Sequence, residues 1–180
     1  MLARPNVVLD LSWITPTLAI GGSFSPALTV ALARDHRVAA VVDLRGEGSD
    51  DAQLLAQHRV EFLHLPTMDF APVNTAKLRR GIEFVAPHLA AGRRVLIHCA
   101  RGIGRSAVLG LCVLVEQGYS PIDALALAKE RRRCVSPTPS QYEAWAAWLT
   151  ARRAECGATW AVPTFGEFKA IVYRRSATAV

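Results

Sequence analysis

Apolar residues come in short, separated runs through the first hundred positions and then settle into longer helical spacing. Two strand-like stretches, "NVVLDLSWI" and "TLAIGG", open the chain. "SPALTVALARDHR" then reads as a helix, with Ser25 as N-cap and Pro26 at the first helical position. "VAAVVDL" (38–44) is a β-branched run suited to a buried strand, and it ends at the turn-like "RGEGSD". A brief helix is expected over "DDAQLLAQH" and a strand over "VEFLHL" (60–65). "PTMDFAPVN" has two prolines and no periodicity, which makes it a loop. "NTAKLRRGIEFVAPHLAAG" has apolar positions at helical spacing, with a kink expected at Pro87, and "RRVLIH" (93–98) returns to strand character.

Three helices are expected afterwards. The first runs from about Arg105 to Gln117. The second starts at "SPID", where Ser120 caps, Pro121 follows and Asp123 favours the positive helix end, and the third spans roughly Ser140 to Glu155. Strands alternating with helices, followed by a helical C-terminal half, predict an α/β domain with a mainly parallel central sheet. Residues 1–156 are expected to form this domain. Residues 157–180 are left as an extension, either a tail or a small element packed back on the domain.

Composition narrows the picture. In 180 residues, 51% hydrophobic and 20% charged content fit one globular core rather than a disordered chain. The uncharged apolar run from Ser106 to Val115 is too short to span a bilayer, and no signal peptide is evident at the start. The four cysteines show no C-x-x-C pair and no zinc-type spacing, so no metal is expected. They read as reduced thiols of a cytoplasmic protein, with Cys112 and Cys134 as small buried hydrophobes. A net charge of +6 favours anionic partners, including a peripheral association with acidic lipid, but the scattered basic residues give no nucleic-acid groove.

Between the strand and helix of "VLIHCARGIGRSAVLGL" lies the chemistry. Gly102 and Gly104 let successive backbone N–H groups, those of Ala100, Arg101 and Ile103 among them, face one concavity. The following helix aims its positive end at the same point. Arg105 adds a permanently charged bidentate fork. Cys99 stands in this positive field, which lowers its pKa by roughly a unit or more and makes it a nucleophile under a bound phosphate. Ser106 can donate a hydrogen bond to that sulfur when it leaves.

"HCARGIGRS" resembles the signature loop of the cysteine-based protein tyrosine phosphatases, and the compact length resembles their dual-specificity branch. "LSWITPTLAIGGSFSP" and "VAAVVDLRGE" are similar to that branch's entry strands. The resemblance implies a three-layer phosphatase fold without a cofactor. It implies Cys99 as nucleophile, Arg105 as phosphate clamp, Ser106 as helper for thiolate departure and His98 as support for the cysteine, hydrogen-bonded behind the loop. Arg101 departs from the family's small or acidic residue. It either points to solvent or bears on substrate choice.

A phosphate ester also needs its leaving oxygen protonated. "LPTMDFAP" supplies Asp69 on a loop ahead of Cys99, followed by Pro72 as in the family. Glu47, Asp50 and Asp51 are the alternatives, whereas Asp43, at the end of a buried strand, is expected to cap a turn. Arg131, Arg132 and Arg133 read as a solvated basic helix end or a wider positive rim; Trp145 and Trp148 read as core. The expected activity is hydrolysis of phosphotyrosine, extending to phosphoserine and phosphothreonine, through a phosphocysteine. The alternatives are the same chemistry on a phosphoinositide or phospholipid head group, or a rhodanese-like sulfurtransferase.

Overall fold

The computed structural model describes residues 8–174. Five strands form one sheet in the order β1-β2-β5-β3-β4, where β1 is Leu11–Trp13, β2 Leu18–Gly21, β3 Val38–Arg45, β4 Glu61–Thr67 and β5 Arg94–His98. Only β1 runs antiparallel to its neighbour. Period-two alternation divides the strand side chains between two cores. Leu18, Ile20, Ala40, Val42, Val95 and Ile97 face one core, and Ala19, Val41 and Leu96 face the other.

The smaller core lies under α1 (Thr29–Arg34) and α2 (Ala52–Gln57), contributing Leu32 and Leu55. The larger lies under α3 (Thr75–Ala90), α4 (Arg105–Glu116), α5 (Pro121–Arg131), α6 (Pro139–Cys156) and α7 (Phe165–Val172). Every residue of α4 from Arg105 to Val115 is buried, as expected of a helix apolar all round that has neighbours on every side. Trp145 and Trp148 of α6 are core residues. No helix among the described residues is long and apolar enough to cross a membrane.

Local details depart from the sequence reading. The segment after Ser25 splits into a 3-10 turn, Pro26–Leu28, and α1. β4 continues through Pro66 to Thr67, because parallel pairing with β3 persists to Arg45 across a register shift. α3 runs unbroken through Pro87 to Ala90. Pro87 and Glu83 both face solvent, so water can satisfy the Glu83 carbonyl that the proline leaves without a donor. Cys134 is exposed rather than buried, whereas Cys112 is buried, and all four cysteines are free thiols. Beyond Gly157 the chain folds α7 back on the domain, burying Phe168 and Val172 in the larger core.

Candidate active site

The loop 99–104 joins the C-terminal end of the central strand β5 to the start of α4, where the positive end of the helix dipole lies. Gly104 is the N-cap of α4 and no side chain caps the first turn, so those N–H groups are free for an anion. Gly102 has φ 65°, and a Cβ there would lie 2.5 Å from the backbone of Gly21. Only glycine fits this position. Cys99 Sγ accepts a hydrogen bond from the Gly102 N–H at 3.3 Å and lies 3.3 Å from the Ser106 hydroxyl. Burial pushes the Cys99 thiol up. The Ser106 hydroxyl and the N–H groups of Ser106, Gly102 and Arg101 outweigh it, so the net shift is downward.

Arg105 is only 1% exposed and reaches back over the loop. Its Nη1 donates to the Thr67 carbonyl at 2.7 Å, and its two Nη atoms hold Glu47 bidentately at 2.7 and 2.8 Å. Those bonds bring the Glu47 carboxyl down to about 2, against the opposing pull of burial. The buried Nε has no hydrogen-bond partner among the described residues. Buried donors are rarely left so, and a phosphate oxygen would satisfy this one. Asp69 Oδ1 stands 3.0 Å from Arg105 Nη2. A cavity of about 70 Å³ gathers Asp69, Cys99, Arg101, Ile103, Gly104 and Arg105 in one lining.

Behind the loop, His98 Nε2 donates to Asp50 Oδ2 at 2.6 Å, while Nδ1 lies 3.3 Å from the Cys99 carbonyl. Asp50 in turn accepts from Arg45 at 2.6 Å, and Arg45 grips the fully buried Asp43. Asp43 also accepts the N–H groups of Arg45 and Asp50, and thereby holds the turn it was expected to cap. Asp43, Asp50 and His98 have ligand atoms close enough for a metal, but the Arg45 guanidinium already occupies that negative charge. Of the alternative acids, Asp50 is engaged on His98 and Arg45 and Asp51 as the N-cap of α2, while Glu47, like Asp69, sits on Arg105 but holds it bidentately.

Comparison with known proteins adds an independent observation. The model of the dual specificity phosphatase catalytic domain matches residues 22–149. The chain belongs to the dual specificity phosphatase family. A mouse relative, phosphatidylglycerophosphatase and protein-tyrosine phosphatase 1, is 29% identical over 72% of this chain and 71% of its own length. A rat relative, dual specificity protein phosphatase 18, is 28% identical over 76% of this chain and 65% of its own. Among solved structures, the active form of Tk-PTP is 27% identical, covers 77% of this chain and 95% of its own, and superposes with a TM-score of 0.70. PTPMT1 in complex with PI(5)P is 26% identical over 79% and 96% of the two chains, with a TM-score of 0.73.

One residue of this phosphatase overturns the reading of its basic run. Arg131 and Arg133 are exposed, but Arg132 is 5% exposed. Its Nε donates to the Gly102 carbonyl and its Nη2 to the Arg101 carbonyl, both at 2.8 Å, while Asp10 closes the other edge at 2.9 Å. A guanidinium fork therefore replaces water on two carbonyls of the loop. The sequence held no signal for this, since a run of three arginines looks the same whether its middle member is solvated or buried. Arg101 itself is exposed at the cavity mouth, on a backbone that Arg132 pins.

Proposed function

We propose that this phosphatase transfers the phosphoryl group of phosphotyrosine, and of phosphoserine and phosphothreonine, to Cys99 and then to water. The observation that carries the reading is the pairing of a sulfur of lowered pKa with a buried, unpartnered Arg105 Nε in one cavity. The Cys99 thiolate attacks phosphorus in line, and the bond to the leaving oxygen breaks as Asp69 gives that oxygen its proton. Arg105 and the loop N–H groups hold the three equatorial oxygens, supplying the positive charge the transition state needs. Asp69, now a carboxylate, takes a proton from the water that attacks the phosphocysteine. The S–P bond breaks and the thiolate departs with the Ser106 hydroxyl donating to it. Glu47 and Arg132 act through others: Glu47 aims Arg105, and Arg132 fixes the carbonyls of the loop. His98 supports Cys99 from behind.

A second reading has its own observation. The Arg101 guanidinium makes no ion pair or hydrogen bond among the described residues, and it lines the cavity beside Cys99. A head group carrying a second anion would meet it, and two similar proteins bear names that speak of phosphatidylglycerophosphate and PI(5)P. Turnover on phosphotyrosine peptides, phosphoserine peptides and phosphoinositides, measured side by side, tests the choice. The first reading expects the highest kcat/KM on phosphotyrosine. A preference for the phosphoinositide that collapses in Arg101→Ala establishes the second. No turnover on any phosphomonoester overturns both.

A further inference from the structure

The family match ends at residue 149, yet the chain continues into α7, which reaches the rear of the site. Thr164 and Glu167 form a capping box that starts the helix, and Tyr142 Oη donates to the Pro163 carbonyl at 2.8 Å just before it. Phe168 and Val172 are buried in the main core. At the far end, the Tyr173 ring meets Phe168 edge-on, with centroids 6.1 Å apart, and its hydroxyl donates to the Pro137 carbonyl at 2.9 Å. The segment is fixed at both ends, and its last contact falls on the turn that joins α5 to α6.

That turn touches both halves of the site. Its Ser136 N–H donates to the Ile103 carbonyl of the signature loop at 2.9 Å. The hydroxyls of Thr138 and Ser140 each reach the Phe70 carbonyl at 3.4 Å, and Gln141 Nε2 donates to the Ala71 carbonyl at 3.1 Å. Phe70 follows Asp69 directly and holds φ 60°, a left-handed conformation rare for a bulky residue. Such a conformation persists only where the surroundings determine it. The contacts from this turn and the first turn of α6 join the bonds from the Phe70 N–H to Asp69 Oδ1 and from the Ala71 N–H to the Met68 carbonyl in holding it. The N–H groups of Val135, Ser136 and Thr138 are all bonded, to the Arg132 and Ile103 carbonyls and to Gln141 Oε1, which leaves the Pro137 carbonyl to a donor from elsewhere in the fold. Tyr173 supplies one from outside.

We propose that α7 braces this turn and that Tyr173 is a positioning residue for Asp69, keeping the acid loop over the cradle. The proposal rests on the reading of Asp69 as the general acid. A general acid matters most for poor leaving groups, so kcat/KM of the full chain is measured on aryl phosphates of rising leaving-group pKa. The wild type is compared with Tyr173→Phe and Asp69→Asn. Tyr173→Phe keeps the ring on Phe168 and removes only the hydroxyl; its thermal midpoint is recorded alongside. Asp69→Asn should lose rate steeply as the leaving group worsens. Tyr173→Phe should follow the same trend more shallowly, near wild type on p-nitrophenyl phosphate and about three- to tenfold slower on the poorest leaving group, the scale of one neutral hydrogen bond. A uniform loss across the series, or none, with Asp69→Asn steep, overturns the brace alone. A flat series for Asp69→Asn places the acid elsewhere, and the role given to Tyr173 falls with it.

Discussion

The signature loop and the acid loop meet at Arg105, yet they are built in opposite ways. The first is clamped through its carbonyls, with Cys99 and Gly102 buried. Its carbonyls at Ala100, Arg101, Gly102 and Ile103 accept from Ser23, Arg132 and Ser136, and a Cβ on Gly104 would come within 2.3 Å of Gln141. The second stands in solvent, with Met68 71% and Phe70 69% exposed on either side of Asp69. Long hydroxyl contacts and one amide bond hold it to α6. The difference matches the work proposed for each. A cradle for developing charge acts best when it is already organised before substrate arrives, whereas an acid must yield space for substrate and then return over it. Rigidity and release are divided between two segments that share one arginine.

Substitutions can break that division. Arg105→Lys keeps a charge but loses the fork, and kcat/KM should fall by about 10²–10³-fold on every substrate, whatever its leaving group. The acid loop behaves otherwise, since the cost of Asp69→Asn depends on the substrate. Equal leaving-group profiles for the two variants would mean that the segments are not divided in function. Arg132→Met comes next. It leaves the Arg101 and Gly102 carbonyls without their donor, and denaturant unfolding should show a loss of about 1–3 kcal/mol. Turnover should fall with it, because the loop can no longer keep its N–H groups aimed.

The smallest expected effect concerns pH. The Cys99 pKa lies below that of an ordinary thiol, so its alkylation by iodoacetamide should stay fast as pH falls through the usual thiol range. It should slow only when Cys99 itself protonates. Ser106→Ala removes the leading group that lowers this pKa, and the slowing should then begin at a higher pH. The same shift sets a stability window. A thiolate favoured in the folded state adds stability above the unfolded thiol's pKa, and that stability is lost as pH falls through the folded value. Cys112, which burial pushes in the opposite direction, should remain unreactive in the native protein.

Much of this was legible because it is local. Strand, glycine loop and helix follow one another from Arg94 to Glu116, and the spacing of Cys99, Arg105 and Ser106 needs no tertiary knowledge. Asp69 could be singled out by a proline-rich loop after a strand. The illegible parts are long-range pairings. Arg132 meets Asp10 across most of the chain, and Arg105 selects Glu47 from the loop after β3. Nothing in either neighbourhood predicts that choice, because an arginine's partner is set by how the elements pack. Helix α7 is a different matter. The Thr164-x-x-Glu167 spacing ahead of an apolar run was a capping signal in plain view, although the sequence reading leaves residues 157–180 open between a tail and a small element packed back on the domain.

The central claim is that the phosphoryl group passes through the sulfur of Cys99. Rapid acid quench of the protein during turnover of an aryl phosphate, followed by peptide mass analysis, tests it most directly. The expected result is one phosphoryl group on the peptide that holds Cys99, absent from Cys99→Ser along with turnover. A phosphoryl group on another residue, or turnover that persists in Cys99→Ser, would contradict it.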